Sequence, residues 1–216
     1  MNLSEHGRVP GNGATVHARW QSPFLARIGP NAITQVRAAL ERHLGDERTR
    51  EIFVQACLLN HFECPPQHMV DEYEVISLHR TLHTALGDPL ALTIAQEAGQ
   101  ATARYLLAHR IPRPIRWLLR CLPASKAAHV LLLAIRRHAW TFAGSGRFSV
   151  EPGPPIVLVL RDNPFCRGLT AGTHSCAYYA ATFEQLFRLL VHPAAYVTES
   201  HCEAAGDDAC KFVIDW

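Results

Sequence analysis

No apolar run in the 216-residue chain reaches the roughly 18 residues that a membrane-spanning helix needs. The longest, around Val130 to Ile135, is followed at once by Arg136 and Arg137. The first residues, MNLSEHGRVPGNG, lack the apolar stretch of a secretory signal. The expectation is a soluble, cytoplasmic protein, in which the seven cysteines read as thiols or metal ligands and not as disulfides. Nucleotide-binding motifs are missing as well. No GxGxxG follows a strand and opens a helix, since Gly144-Ser-Gly146 leads from a helix into a strand, and there is no P-loop. The cysteines do not have iron–sulfur spacing. No nucleotide cofactor is therefore expected, and no catalytic residue is nominated.

Acidic residues are absent from Ala98 to Val150, and all 19 lie outside that stretch. The same stretch carries Arg104, Arg110, Arg113, Arg116, Arg120, Lys126, Arg136, Arg137 and Arg147. Such a block attracts anions such as phosphates, lipid headgroups or a ligand's carboxylates, unless it is a solvated face paired with acids elsewhere in the fold. Nucleic acid is not expected as a partner, because no binding motif accompanies the charge and the net charge is only +2.

The apolar periodicity divides the chain in two. Residues 1–22 are aperiodic and read as a flexible arm, and 23–216 as a single domain. Helical spacing runs through Ile33, Val36, Leu40 and Leu44 up to Gly45, then over 47–62. It continues over 70–86 and 90–107, where Ala95, Ala98, Gly99 and Thr102 are small enough for close helix packing. Pro112, Pro114 and Pro123 break the next stretch, and 127–143 reads as a buried helix. After Gly144 the pattern becomes strand (147–151), strand (156–161), helix (176–191), strand (196–203) and strand (210–216). The class is α+β, a helix-rich N-terminal half packed with a small, mainly antiparallel sheet.

The densest chemistry is Glu199-Ser-His-Cys202 and Cys210, with Cys176 upstream on a core-facing helical stripe. Cys202 and Cys210 flank a short turn, so their side chains can converge. Glu199 faces the opposite way in an ideal strand and joins them only across a bulge. Two or three thiolates plus a carboxylate suit Zn²⁺, with His201 as an alternative ligand. The competing reading is three buried core cysteines. His79 and His83, one turn apart, offer a weaker metal pair.

The run from Cys176-Ala-Tyr-Tyr through Glu199-Ser-His-Cys202-Glu-Ala-Ala-Gly206-Asp-Asp-Ala-Cys210 resembles the 4-vinyl reductase domain family. The segments Ile28-Gly-Pro-Asn-Ala-Ile33, Ala108-His-Arg-Ile-Pro112 and His138-Ala-Trp-Thr-Phe-Ala-Gly-Ser-Gly146 are similar to members encoded among photosynthetic pigment genes. The resemblance covers about residue 23 to the end. It implies a structural zinc ion held by Cys176, Glu199, Cys202 and Cys210 in a subregion of about 174–216. It also implies a homodimer and a magnesium tetrapyrrole ligand in bacteriochlorophyll synthesis, with pathway enzymes as partners.

A binding or carrier role leads, with a divinyl (proto)chlorophyllide 4-vinyl reductase and a sensor or interaction module as alternatives. His138, Trp140, Phe142, Tyr179 and Phe183 are candidate pocket residues, and Arg136, Arg137 and Arg110 are candidate carboxylate partners. The basic, Trp117-bearing stretch 111–122 suits peripheral membrane contact.

Overall fold

The computed structural model describes residues 26–151, 153–170 and 175–216, so the arm expected over 1–22 lies outside it. Helix α1 (Asn31–Gln55) follows Pro30 and buries Ile33, Val36 and Leu40 completely. It does not stop at Gly45. That residue adopts φ 77° and ψ 174°, which kinks the helix without ending it. Positive φ costs little where there is no Cβ, and Thr49 Oγ1 donates to the Gly45 carbonyl at 2.7 Å. A short α2 (Leu59–Glu63) follows.

Two-residue strands β1 (Arg27–Ile28) and β2 (Val70–Asp71) form an antiparallel ribbon too short to leave a periodic signal. Asp71 then caps α3 (Glu72–Leu86) by accepting the Tyr73 N–H at 2.9 Å. Helix α4 (Asp88–His109) begins beyond Gly87.

The prolines expected to break the next stretch instead open two helices. Pro112 and Pro123 sit at the N-caps of α5 (Arg113–Cys121) and α6 (Ala124–Arg137), and Pro114 lies in the first turn of α5. First-turn amides have no intrahelical partner, so proline costs nothing there. Helix α6 ends at Arg137, short of the expected 143, and a 3-10 turn over 139–141 follows.

Strands β3 (Arg147–Glu151), β4 (Ile156–Arg161), β5 (Tyr196–His201) and β6 (Cys210–Asp215) form one antiparallel sheet in the order β3-β4-β6-β5. Helix α7 (Ala177–Leu190) packs against both the sheet and α4. Its Phe183 ring meets Phe212 of β6 at 5.6 Å between centroids. On its other side Gly99 of α4 faces the Tyr178 carbonyl so closely that any Cβ would collide. Thr182 Oγ1 donates to the Gly99 carbonyl at 3.1 Å, and Thr102 and Tyr178 hydroxyls share a buried hydrogen bond at 2.8 Å. The small residues of α4 thus serve close packing, and the class is α+β.

Candidate functional site

Four segments of the chain converge on one point. A 3-10 turn over 164–166 carries Cys166, the N-cap of α7 is Cys176, Cys202 follows β5, and Cys210 begins β6. All four cysteines are buried, and their Sγ atoms lie within 4.8 Å of one another. Cys166 is 3.3 Å from Cys176 and 3.4 Å from Cys210; Cys176 is 3.4 Å from Cys210; Cys202 is 3.9 Å from both Cys166 and Cys176. A zinc ion with sulfur ligands at about 2.3 Å in a tetrahedron sets neighbouring sulfurs about 3.8 Å apart. The arrangement therefore fits one tetrahedral ion.

Donors surround the sulfurs. The fully buried Asn163 anchors its Oδ1 on the Phe165 N–H at 3.0 Å. Its Nδ2 donates to Cys176 Sγ at 3.1 Å and to Cys210 Sγ at 3.2 Å. The Ser175 and Glu203 amides donate to Cys202 and Cys210 Sγ, each at 3.4 Å. Such donors offset the charge of ligating thiolates. Contacts with the Cys166, Cys202 and Cys210 thiols, and then burial, hold the Cys176 thiol well above its ordinary pKa. Cys202 moves down, because the thiols of Cys166 and Cys176 hydrogen-bond to its sulfur. A cation is what would allow all four to ionise together.

The expected bulge is present. The β5–β6 register shifts between Glu199 and His201, adding one residue on β5. Glu199 Oε2 consequently accepts the Cys176 N–H at 3.0 Å, beside the cluster, while its Oε1 is buried without a partner. Burial, then the Cys202 charge, pushes the Glu199 carboxyl up to about 9. The structure thus groups Cys176, Cys202 and Cys210 as expected, adds Cys166, and places Glu199 against an amide at the edge. His201 is exposed on β5.

A groove of about 600 Å³ opens between α6 and the sheet. One wall is the α6 stripe Ser125, Ala128, His129, Leu132, Leu133 and Arg136; Val150, Pro154, Ile156, Ile214 and Trp216 face it.

A model of the 4-vinyl reductase domain matches residues 156–215, the segment that supplies all four sulfurs. Over 191 residues the chain is 41% identical to the Bacteriochlorophyll synthase 23 kDa chain of Cereibacter sphaeroides, covering 88% of this chain and 91% of that one. The chain belongs to this family.

The Bacteriochlorophyll synthase 23 kDa chain of Rhodobacter capsulatus is 39% identical, over 87% of this chain and 86% of its own. Among solved structures, the Fe(II) unliganded H-NOX protein from K. algicida aligns at a TM-score of 0.56 and 12% identity, covering 87% of this chain and 96% of that one. An H-NOX protein from S. oneidensis aligns at 0.51 and 12%, covering 87% and 98%. At such identities the likeness is one of fold.

Against this family background, the expected pocket residues separate. Phe142, Tyr179 and Phe183 stack on one another, with centroids 6.0 to 6.3 Å apart. The Tyr179 hydroxyl donates to the Phe142 carbonyl at 2.7 Å, a core arrangement. Trp140 is 63% exposed, and His138 at the end of α6 is exposed with Nδ1 donating to the Ala134 carbonyl at 2.8 Å. Arg136 lines the groove, Arg137 is exposed beside it, and Arg110 is exposed at the C-cap of α4.

His79 and His83 do not form a metal pair. His79 is buried against Phe165 at 4.0 Å, and His83 Nδ1 meets Asp88 at 2.7 Å. Sequence reasoning missed Cys166, Asn163 and His129. For Cys166 a signal existed: it follows the turn-forming Asn163-Pro164, ten residues before Cys176.

Proposed function

We propose that the protein acts in bacteriochlorophyll biosynthesis as a carrier or accessory that binds a magnesium tetrapyrrole and presents it to pathway enzymes. Its near full-length identity with the 23 kDa chains supports the pathway. The observation that carries the binding role is the apolar groove of about 600 Å³ between α6 and the sheet, within the size range of small-molecule sites.

In this reading the cysteine cluster holds a structural zinc ion. Cys166, Cys176, Cys202 and Cys210 would ligate it, and Glu199 would act from outside by fixing the Cys176 backbone. Four protein ligands close a site to substrate, and the ion would pin the 3-10 turn, α7, β5 and β6 together. Helix α5 is assigned to the membrane surface. It exposes Ile115, Trp117 and Leu118 between Arg113, Arg116 and Arg120. The protein pairs as a homodimer in the same reading.

Absorbance titration with divinyl magnesium chlorophyllide, before and after adding NADPH, tests the role. A saturable shift that NADPH leaves unchanged is expected. Conversion to the monovinyl spectrum would make the protein a reductase and overturn the carrier reading.

A further inference from the structure

We infer that His129 is the axial ligand to the magnesium of the bound tetrapyrrole, and that Arg136 pairs with a carboxylate on the macrocycle edge. The assignment rests on the carrier reading and specifies where and how the pigment sits. His129 and Arg136 share one stripe of α6, seven residues apart, which is two helical turns or about 10 Å along the axis. That separation matches the reach from the centre of a tetrapyrrole to a propionate at its rim. Leu132 and Leu133 lie between them, and Pro154, Ile156 and Trp216 stand opposite, so a flat apolar ring has a surface on each side.

The polar groups of the groove are already sorted. Its two acidic side chains are engaged: Glu151 accepts from Lys211 Nζ at 2.9 Å, and Asp215 accepts from the Tyr196 hydroxyl at 3.1 Å and from the Trp216 amide at 2.8 Å. His129 and Arg136 have no hydrogen bond or ion pair among the described residues. A neutral imidazole suits magnesium as a single axial donor, and the guanidinium offers a planar fork to a carboxylate. His138, nine residues on, has Nδ1 committed to its own helix and lies outside the groove lining. Leu133, 51% exposed, is a large apolar side chain that a bound macrocycle would cover.

The test uses magnesium protoporphyrin IX and metal-free protoporphyrin IX as probes, with wild type, His129→Ala, Arg136→Gln and Leu133→Glu. All three positions are exposed, so the variants should keep the wild-type circular dichroism and melting behaviour. Wild type should bind one magnesium pigment per chain with a shifted Soret band. His129→Ala should abolish that shift and weaken the magnesium pigment by about tenfold or more, equivalent to 1.4 kcal/mol. It should leave the metal-free pigment, which has no axial site, within about twofold. Arg136→Gln should weaken both pigments, and Leu133→Glu should prevent binding of either.

Wild-type binding with an unchanged Soret band in His129→Ala would overturn the assignment and leave the carrier reading intact. Wild type that binds neither pigment overturns both. If Leu133→Glu alters the oligomeric state by light scattering while pigment binding persists, the groove is a contact between copies of the chain and the assignment falls.

Discussion

Replacing Cys166 with serine separates the two ligand sets that the cysteine cluster allows. Structural zinc sites bind with roughly 10–16 kcal/mol shared among four ligands, so one thiolate represents roughly 2.5–4 kcal/mol, or about 10²–10³ in affinity. The Cys166 sulfur lies 3.3 to 3.9 Å from the other three, as close as they are to one another. Cys166→Ser should therefore cost the full ligand share, like Cys176→Ser. Glu199 holds the Cys176 amide, and loss of an outer partner of this kind costs about 10–100-fold. Glu199→Gln should retain one zinc per chain with that smaller loss. The assay is competition with a chromophoric chelator at fixed zinc, with stoichiometry from elemental analysis. Purified Cys166→Ser that holds zinc like wild type, with Glu199→Gln losing it, would refute the four-sulfur set. Wild type that is stable and metal-free would refute the site altogether.

Three further outcomes follow from the same coordinates. Burial, then the nearby charge of His83, pushes the His79 pKa from 6.5 down to about 3. Below pH 6.5 the unfolded chain thus takes a proton that the folded chain refuses. Stability from this group is present above 6.5 and falls on acidification, by about 2 kcal/mol between pH 7 and pH 5. Urea unfolding of wild type against His79→Leu should show that this slope belongs to His79; parallel slopes would remove the argument. Gly99→Ala gains up to about 1 kcal/mol of helix propensity but meets the Tyr178 carbonyl, so a net loss of about 1–2 kcal/mol is expected in thermal unfolding. A raised melting temperature would show that α4 and α7 have room to spare. In vesicle sedimentation, Trp117→Ser should weaken binding to anionic membranes by several-fold, since its ring is 69% exposed on α5 among arginines. Equal sedimentation would release α5 from the membrane role.

Much of this protein was legible in one dimension, because periodicity and turn chemistry are local. The stripe of α7, the four sheet strands, the small residues of α4 and the bulge needed at Glu199 all follow from spacing. Local signals misled where one residue type serves opposite ends of a helix. Pro112 and Pro123 read as breaks yet open α5 and α6, and Gly45 read as a stop yet only bends α1.

The sites were less legible, because they depend on which surfaces are left over after packing. Phe142, Tyr179 and Phe183 have the composition of a pocket wall but are used up on one another in the core. His129 has the same chemistry as His138, and only the rotation of α6 against the sheet sets it in a groove. Sequence alone determined the α+β class, the three cysteines around the β5–β6 turn and the basic face. Tertiary structure decided that Cys166 completes the cluster, since a 3-10 turn remote from β5 and β6 carries its sulfur to theirs, and no spacing rule encodes a distance closed by packing.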